Sequence, residues 1–205
     1  MKKILFSFLF LFAATFSQAQ LVINEYSCSN LSTVLDGFNQ YEDWVELYNA
    51  GAGSINITGY YLSDDPTNLM KWQIPTTTAI NGTSRRMVFC SGRGVVTAAN
   101  QIHPDFKLTQ TKGEWFIVSD AGGTIVDSVH LNLTQVGHSR GRTTDAAATW
   151  SIFTTPTPNS SNAASTPYSN YATKPIFSVA PGFYSSAQNV TLTSPDPGVT
   201  IRYTL

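Results

Sequence analysis

The sequence predicts an all-β protein whose main body is a β-sandwich, and three observations carry that prediction. Only 12% of the 205 residues are charged, about half the ~25% of ordinary globular domains. That leaves too little Lys and Glu to clothe long solvent-facing helices with i,i+4 pairs. Apolar residues recur with period two in short runs, separated at similar intervals by Gly, Asn, Asp and Ser, which is the pattern of a sandwich. After the first twenty residues, no window of eleven or more holds a helical stripe. A hydrophobic share of 42% and an aromatic share of 12% exclude a disordered polar chain and give material for one to two compact domains.

Residues 1–19 stand apart from the fold. Lys2 and Lys3 precede an apolar run over 4–14 broken only by Ser7, and Ser17-Gln18-Ala19 supplies small residues at −3 and −1. This is the pattern of a secretory signal peptide cleaved after Ala19. The run is shorter than the ~20 residues of a spanning helix, and no later segment reaches that length, so no transmembrane segment is expected. Cys28 lies too far downstream for a lipid anchor. Loss of Lys2 and Lys3 takes the 12 basic residues to 10 against 13 acidic ones, a balance of −3. Phosphate binding wants a basic patch. The short clusters Arg85-Arg86 and Arg140-Gly141-Arg142 lack a stacking series and read as solvated or paired, so there is no nucleic-acid signature.

Strands are expected over 21–26 and over 44–48, where Val45 and Leu47 share one face and Glu46 takes the other. Further strands are expected over 55–62, 87–90, 115–119 and 124–129. Asp120-Ala121-Gly122-Gly123 joins the last two as a tight hairpin, its glycines supplying positive φ. The sandwich is expected to span 20–153. Seven of the ten prolines lie from Pro156 onward, and 154–174, with Tyr168 and Tyr171 as its only large apolar residues, reads as an extended linker. Residues 175–205 then hold strands over 190–193 and 200–205 around Pro195-Asp196-Pro197-Gly198. So few strands cannot bury a core alone, and the chain stops inside a strand, so the sequence reads as the front of a longer protein.

Ordered motifs now point to a family. Leu21-Val22-Ile23-Asn24-Glu25-Tyr26, Asp43-Trp44-Val45-Glu46-Leu47-Tyr48-Asn49, Ile57-Thr58-Gly59-Tyr60-Tyr61-Leu62-Ser63-Asp64-Asp65 and Trp72-Gln73-Ile74-Pro75 resemble the lamin-tail domain in its bacterial secreted form. Phe106-Lys107-Leu108, Gly123-Thr124-Ile125-Val126-Asp127-Ser128-Val129, Gly141-Arg142-Thr143-Thr144-Asp145 and Thr155-Pro156-Thr157-Pro158-Asn159 follow in the family's order. The resemblance covers about residues 21–163 and implies an immunoglobulin-like sandwich; Asn159 stands where the closing motif usually has Gly. Residues 175–205 are similar to the opening of the chitobiase/β-hexosaminidase C-terminal type of repeat, through Pro175-Ile176-Phe177-Ser178, Gly182-Phe183-Tyr184 and Asn189-Val190-Thr191-Leu192-Thr193. These resemblances imply the company of spore-coat-protein-H-type kinases, nucleases or polysaccharide-active hydrolases, with a catalytic domain beyond Leu205.

Catalytic candidates are scarce. His103, His130 and His138 form no His-x-x-x-His pair, and Ser91-Gly92-Arg93-Gly94 lacks the Lys and the strand-to-helix setting of a phosphate loop. These residues are therefore not expected to form an enzyme. Asp36, Glu42, Asp43, Asp64 and Asp65 fall at strand ends or in loops, where carboxylates can gather Ca2+; Asp64 and Asp65 lead, although Ser63-Asp64-Asp65-Pro66 is also ordinary turn chemistry. Tyr41, Tyr60, Tyr61 and Trp72 are candidates for stacking on a sugar face, against the alternative of core packing. Cys28 and Cys90 either bridge, restricting the unfolded chain by about 4 kcal/mol, or are two buried thiols. The expected function is a non-catalytic binding or adhesion module of a larger secreted or cell-surface protein. Its expected partner is an extracellular polysaccharide or protein, met through the loops over 36–43 and 63–72. The alternative is an accessory region of a secreted enzyme.

Overall fold

The computed structural model describes residues 20–204; the expected signal peptide lies outside the described residues. Thirteen strands build the main body. Strands β1 (Leu21–Ser27), β2 (Trp44–Asn49), β7 (Arg85–Phe89), β8 (Val95–Val96), β9 (Ile102–His103), β12 (Ser139–Arg142) and β13 (Trp150–Phe153) form one sheet in the order β13-β12-β1-β2-β7-β9-β8. Facing it, β4 (Tyr61–Ser63), β5 (Trp72–Gln73), β10 (Trp115–Ser119) and β11 (Ile125–His130) are ordered β11-β10-β4-β5, and β3 (Ile55–Asn56) pairs with β6 (Ala79–Ile80) beside them. Pairing is antiparallel throughout except between β7 and β9. The all-β sandwich is as the sequence predicts. The expected strand over 55–62 is broken into β3 and β4 by Gly59 at φ 80°. The hairpin between β10 and β11 closes as expected, with Gly123 at φ 81° and the Asp120 carboxylate accepting from the amides of Gly122 and Thr124.

Period two puts Leu21, Ile23 and Tyr26 of β1 and Val45 and Leu47 of β2 into the interior, where they meet Leu62, Trp72, Phe116 and Val118 from the second sheet. The register slips between Ile23 and Glu25, so Asn24 is a bulge residue. A bulge turns two neighbours toward one face, and Asn24 and Glu25 both leave the interior. Yet every residue of β1 is buried, because the outer face of the large sheet is covered as well. At one end the β1–β2 connection packs Val34 onto Trp44, Met87 and Phe89. At the other, residues 154–164 fold back across β1 and β2.

That second cover corrects the expected linker. Thr157 and Asn162 are buried, a 3-10 turn forms over Asn162–Ala164 capped by Ser161, and Tyr168 pairs with Ile152 of β13. Pro, Thr and Asn read as solvated spacer; here their polar groups are spent on buried carboxylates instead. Beyond Lys174, β14 (Ile176–Phe177) and β15 (Leu192–Thr193) form a two-residue ribbon whose Ile176 and Phe177 are exposed.

Candidate functional site

The loop between β1 and β2 is wired from within. Asn30, buried, donates to the carbonyls of Val34 and Glu42 and accepts from the amides of Thr33 and Val34. Asp36, also buried, accepts on Oδ1 from the amides of Phe38 and Gln40, each at 2.8 Å. Gln101 holds the Gly37 amide from the far side at 2.7 Å. Asx hydrogen bonds of this kind replace a regular ladder. The apolar side chains of the same loop face water: Leu31 is 64% exposed, Phe38 44% and Tyr41 45%, with Leu35 alongside.

Beneath this loop lies a cluster that the spacing of the histidines did not reveal. His103 on β9 is fully buried, stacked on Phe89 at 5.5 Å and met edge-on by Phe38 at 5.2 Å. Its Nδ1 lies 3.0 Å from Ser91 Oγ and 3.9 Å from Asp36 Oδ2. Arg93 Nε is 4.0 Å from the same Asp36 oxygen, and its guanidinium lies over the Phe38 ring. Asp36 Oδ2 and His103 Nε2 have no hydrogen-bond partner among the described residues. A nucleophilic relay needs Ser and Asp on opposite ring nitrogens. Here both approach Nδ1, so the three residues are not arranged for acyl transfer. Burial, outweighing the Asp36 carboxylate, lowers the His103 pKa.

A second polar cluster sits under the 154–164 cover. Glu25 accepts from the Ser139 hydroxyl and from both the amide and the hydroxyl of Thr157. Glu46 accepts from Asn24 Nδ2 at 3.1 Å and the Asn159 amide at 2.7 Å, with Arg85 Nε 3.3 Å away. Arg85 also pairs with Asp145, whose Oδ1 takes Asn24 Nδ2 and the Asn162 amide. Asn162 in turn donates to the Asn24 and Arg142 carbonyls. Burial pushes the Glu46 carboxyl up to about 8 and raises that of Glu25, against these hydrogen bonds. These hydrogen bonds, to carboxylates and to backbone carbonyls of β1 and β12, tie the cover to the sheet.

The sequence candidates are dispersed. Asp64 pairs with Lys71 at 2.5 Å, and Asp65 caps its own turn by accepting from Thr67, whose hydrogen bonds lower its pKa. No group of three or more His, Cys, Asp and Glu able to hold a metal occurs among the described residues. Trp72 lies in the core and the partly buried Tyr60 packs against it. Tyr61 accepts through its hydroxyl from Gln73 at 3.0 Å; Tyr41 alone of the four is well exposed. His130 lies edge-on to Trp115, and His138 stacks on Tyr171. Cys28 and Cys90 are free thiols in one apolar cluster, not the bridged pair among the expectations. No helix among the described residues is long and apolar enough to cross a membrane.

The profile of the Lamin Tail Domain family matches residues 14–133, more than half of the chain. The chain belongs to the lamin tail domain family. No curated protein matches it. As a lamin tail domain it is an immunoglobulin-like module, and in this chain β12 and β13, beyond the matched residues, complete its larger sheet while residues 154–164 cover that sheet's outer face.

Proposed function

We propose that this lamin tail domain is a non-catalytic recognition module of a secreted protein, released by cleavage after Ala19, and that it meets an extracellular polysaccharide or protein through the β1–β2 loop. One observation carries the reading: a loop pinned from below by buried Asn30 and Asp36 nevertheless holds Leu31, Leu35, Phe38 and Tyr41 toward solvent. Apolar groups held rigidly lose little conformational entropy on binding, the usual economy of a recognition surface. The flanking loop over 131–138 adds exposed Leu133 and Val136 and is tied to the same end by the Gly137 amide, which donates to the Ser29 carbonyl. Residues 175–204, similar to the opening of a chitobiase-type repeat, are the start of a second module in this reading.

The test is binding to insoluble polysaccharides and to extracellular proteins, with the chain compared to a Leu31→Ser, Leu35→Ser, Tyr41→Ala variant. These side chains make little of the fold, so the variant keeps its unfolding transition and loses roughly tenfold or more in affinity. Binding that survives in the folded variant would move the recognition surface elsewhere.

A further inference from the structure

We propose that His103 is a proton-sensing latch beneath the β1–β2 loop, and that its protonation releases residues 36–41 from the sheet. This rests on the reading of that loop as the recognition surface and adds its regulation. Asp36 is the hinge of the argument because its two oxygens do different work. Oδ1 organises the loop by taking the Phe38 and Gln40 amides, while Oδ2 faces His103 Nδ1 and Arg93 Nε without a hydrogen bond to either.

Neutral imidazole suits the site. With its proton on Nδ1 it donates to Ser91 Oγ at 3.0 Å and leaves only a lone pair on Nε2, the less costly orphan. Imidazolium carries N–H on both nitrogens. The added donor at Nε2 faces no acceptor among the described residues, inside a site enclosed by Phe89 and Phe38. A buried charged donor without a partner is expensive enough to open structure locally. The groups facing the ring are mixed: Asp36 and Glu42 from the β1–β2 loop favour the charged form, whereas burial and Arg93, on the turn after β7, oppose it. Phe38 is the lid over the ring, so solvating Nε2 requires Phe38 and its neighbours to lift. Histidine titrates near this range, and burial displaces His103 to its acid side, so the step belongs to acidification and not to neutral pH.

The experiment is amide exchange and ring-nitrogen NMR on the 15N-labelled chain between about pH 7.5 and about pH 5, with no partner present. His103 is expected to carry its proton on Nδ1 at the higher pH. As it titrates, the amides of Phe38 and Gln40 should lose roughly tenfold or more of their protection beyond the intrinsic rate change. Those of Phe116 and Val118 on β10 should keep theirs. In His103→Gln, whose amide does not titrate, loop protection should not depend on pH over this range. Titration of His103 with loop protection unchanged would overturn the proposal, as would a ring that stays neutral down to about pH 5, loss spread equally to β10, or a persistent pH dependence in the variant. If His103→Gln does not fold, the wild-type comparison decides: the ring and the loop must share one midpoint. A loop that opens while the Leu31, Leu35, Tyr41 variant binds like the wild type would overturn the recognition reading and leave the conformational step standing.

Discussion

Glu25 and Glu46 stand directly opposite each other across the β1–β2 pair, and neither is exposed to solvent. Burial penalises the charged form, and the like charge of Glu25 directly opposite adds to it, so the Glu46 carboxyl is lifted from its ordinary 4.5 to about 8. The raised value fixes the sign of the pH dependence. The contribution of Glu46 is complete below pH 4.5 and is lost as the pH rises through about 8, because the folded state holds a proton that the unfolded chain releases. Urea midpoints should fall between about pH 5 and about pH 8 and level off above it, and Glu46→Gln should flatten that fall. An equal fall in the variant would place the effect on other groups.

Arg85 is the cation that Glu46 and Asp145 share. Arg85→Ala leaves the part-buried Asp145 carboxylate without its cation and removes a donor beside Glu46, a loss of about 1–3 kcal/mol. The Lys107–Glu42 pair is a useful contrast, because Lys107 has 63% of its side chain in solvent; Lys107→Ala should cost less than about 1 kcal/mol. Chemical denaturation of both variants measures the difference.

Gly141 marks how closely the 154–164 cover lies on β12. A Cβ there would stand 2.8 Å from Phe153 Cε2, 3.0 Å from Asn162 Nδ2 and 3.1 Å from Glu25 Cγ. Gly141→Ala is expected to cost about 1–3 kcal/mol through overpacking. Gly53 has nothing within 4 Å of such a Cβ and no positive φ, so Gly53→Ala should be neutral or slightly stabilising. Thermal unfolding of the two compares them directly.

Burial pushes the thiols of Cys28 and Cys90 well above their ordinary range. Thiolate is the reactive form, so a thiol reagent should leave the native chain untouched and titrate two thiols after denaturation without reductant. Absence of titratable thiol in the denatured chain would mean that a bridge forms.

The strands were legible because one face of each is apolar and the turns carry Gly, Asn and Asp where the backbone needs them. The hairpin at Asp120–Gly123 and the alternation of Val45, Glu46 and Leu47 could be read directly. The carboxylate cluster could not. Alternation assigns Glu46 to the face away from the core, which normally means water, and only the 154–164 cover turns that face into an interior. A Pro-rich segment carries no local sign that its Thr157, Asn159 and Asn162 will seek buried partners. A weak signal did exist: Glu25 sits in Leu-Val-Ile-Asn-Glu-Tyr, a run too apolar for an edge bathed on one side. The cluster around His103 was illegible for a similar reason, since Asp36 and Ser91 reach it from distant loops.

The bulged first strand has a consequence for how the chain becomes folded. Asn24 meets Asn162 across 138 positions and Glu25 meets Thr157 across 132, while the edge of β1 remote from β2 is filled by β12. Contacts so remote in sequence raise contact order and slow folding. During synthesis from the N-terminus, β1 can pair early with β2, but its other edge and its polar face stay open until the chain beyond residue 160 has emerged. The nascent chain is thus denied its native end state until synthesis of the sandwich is almost finished, and meanwhile carries an unpaired edge of the kind that recruits neighbours.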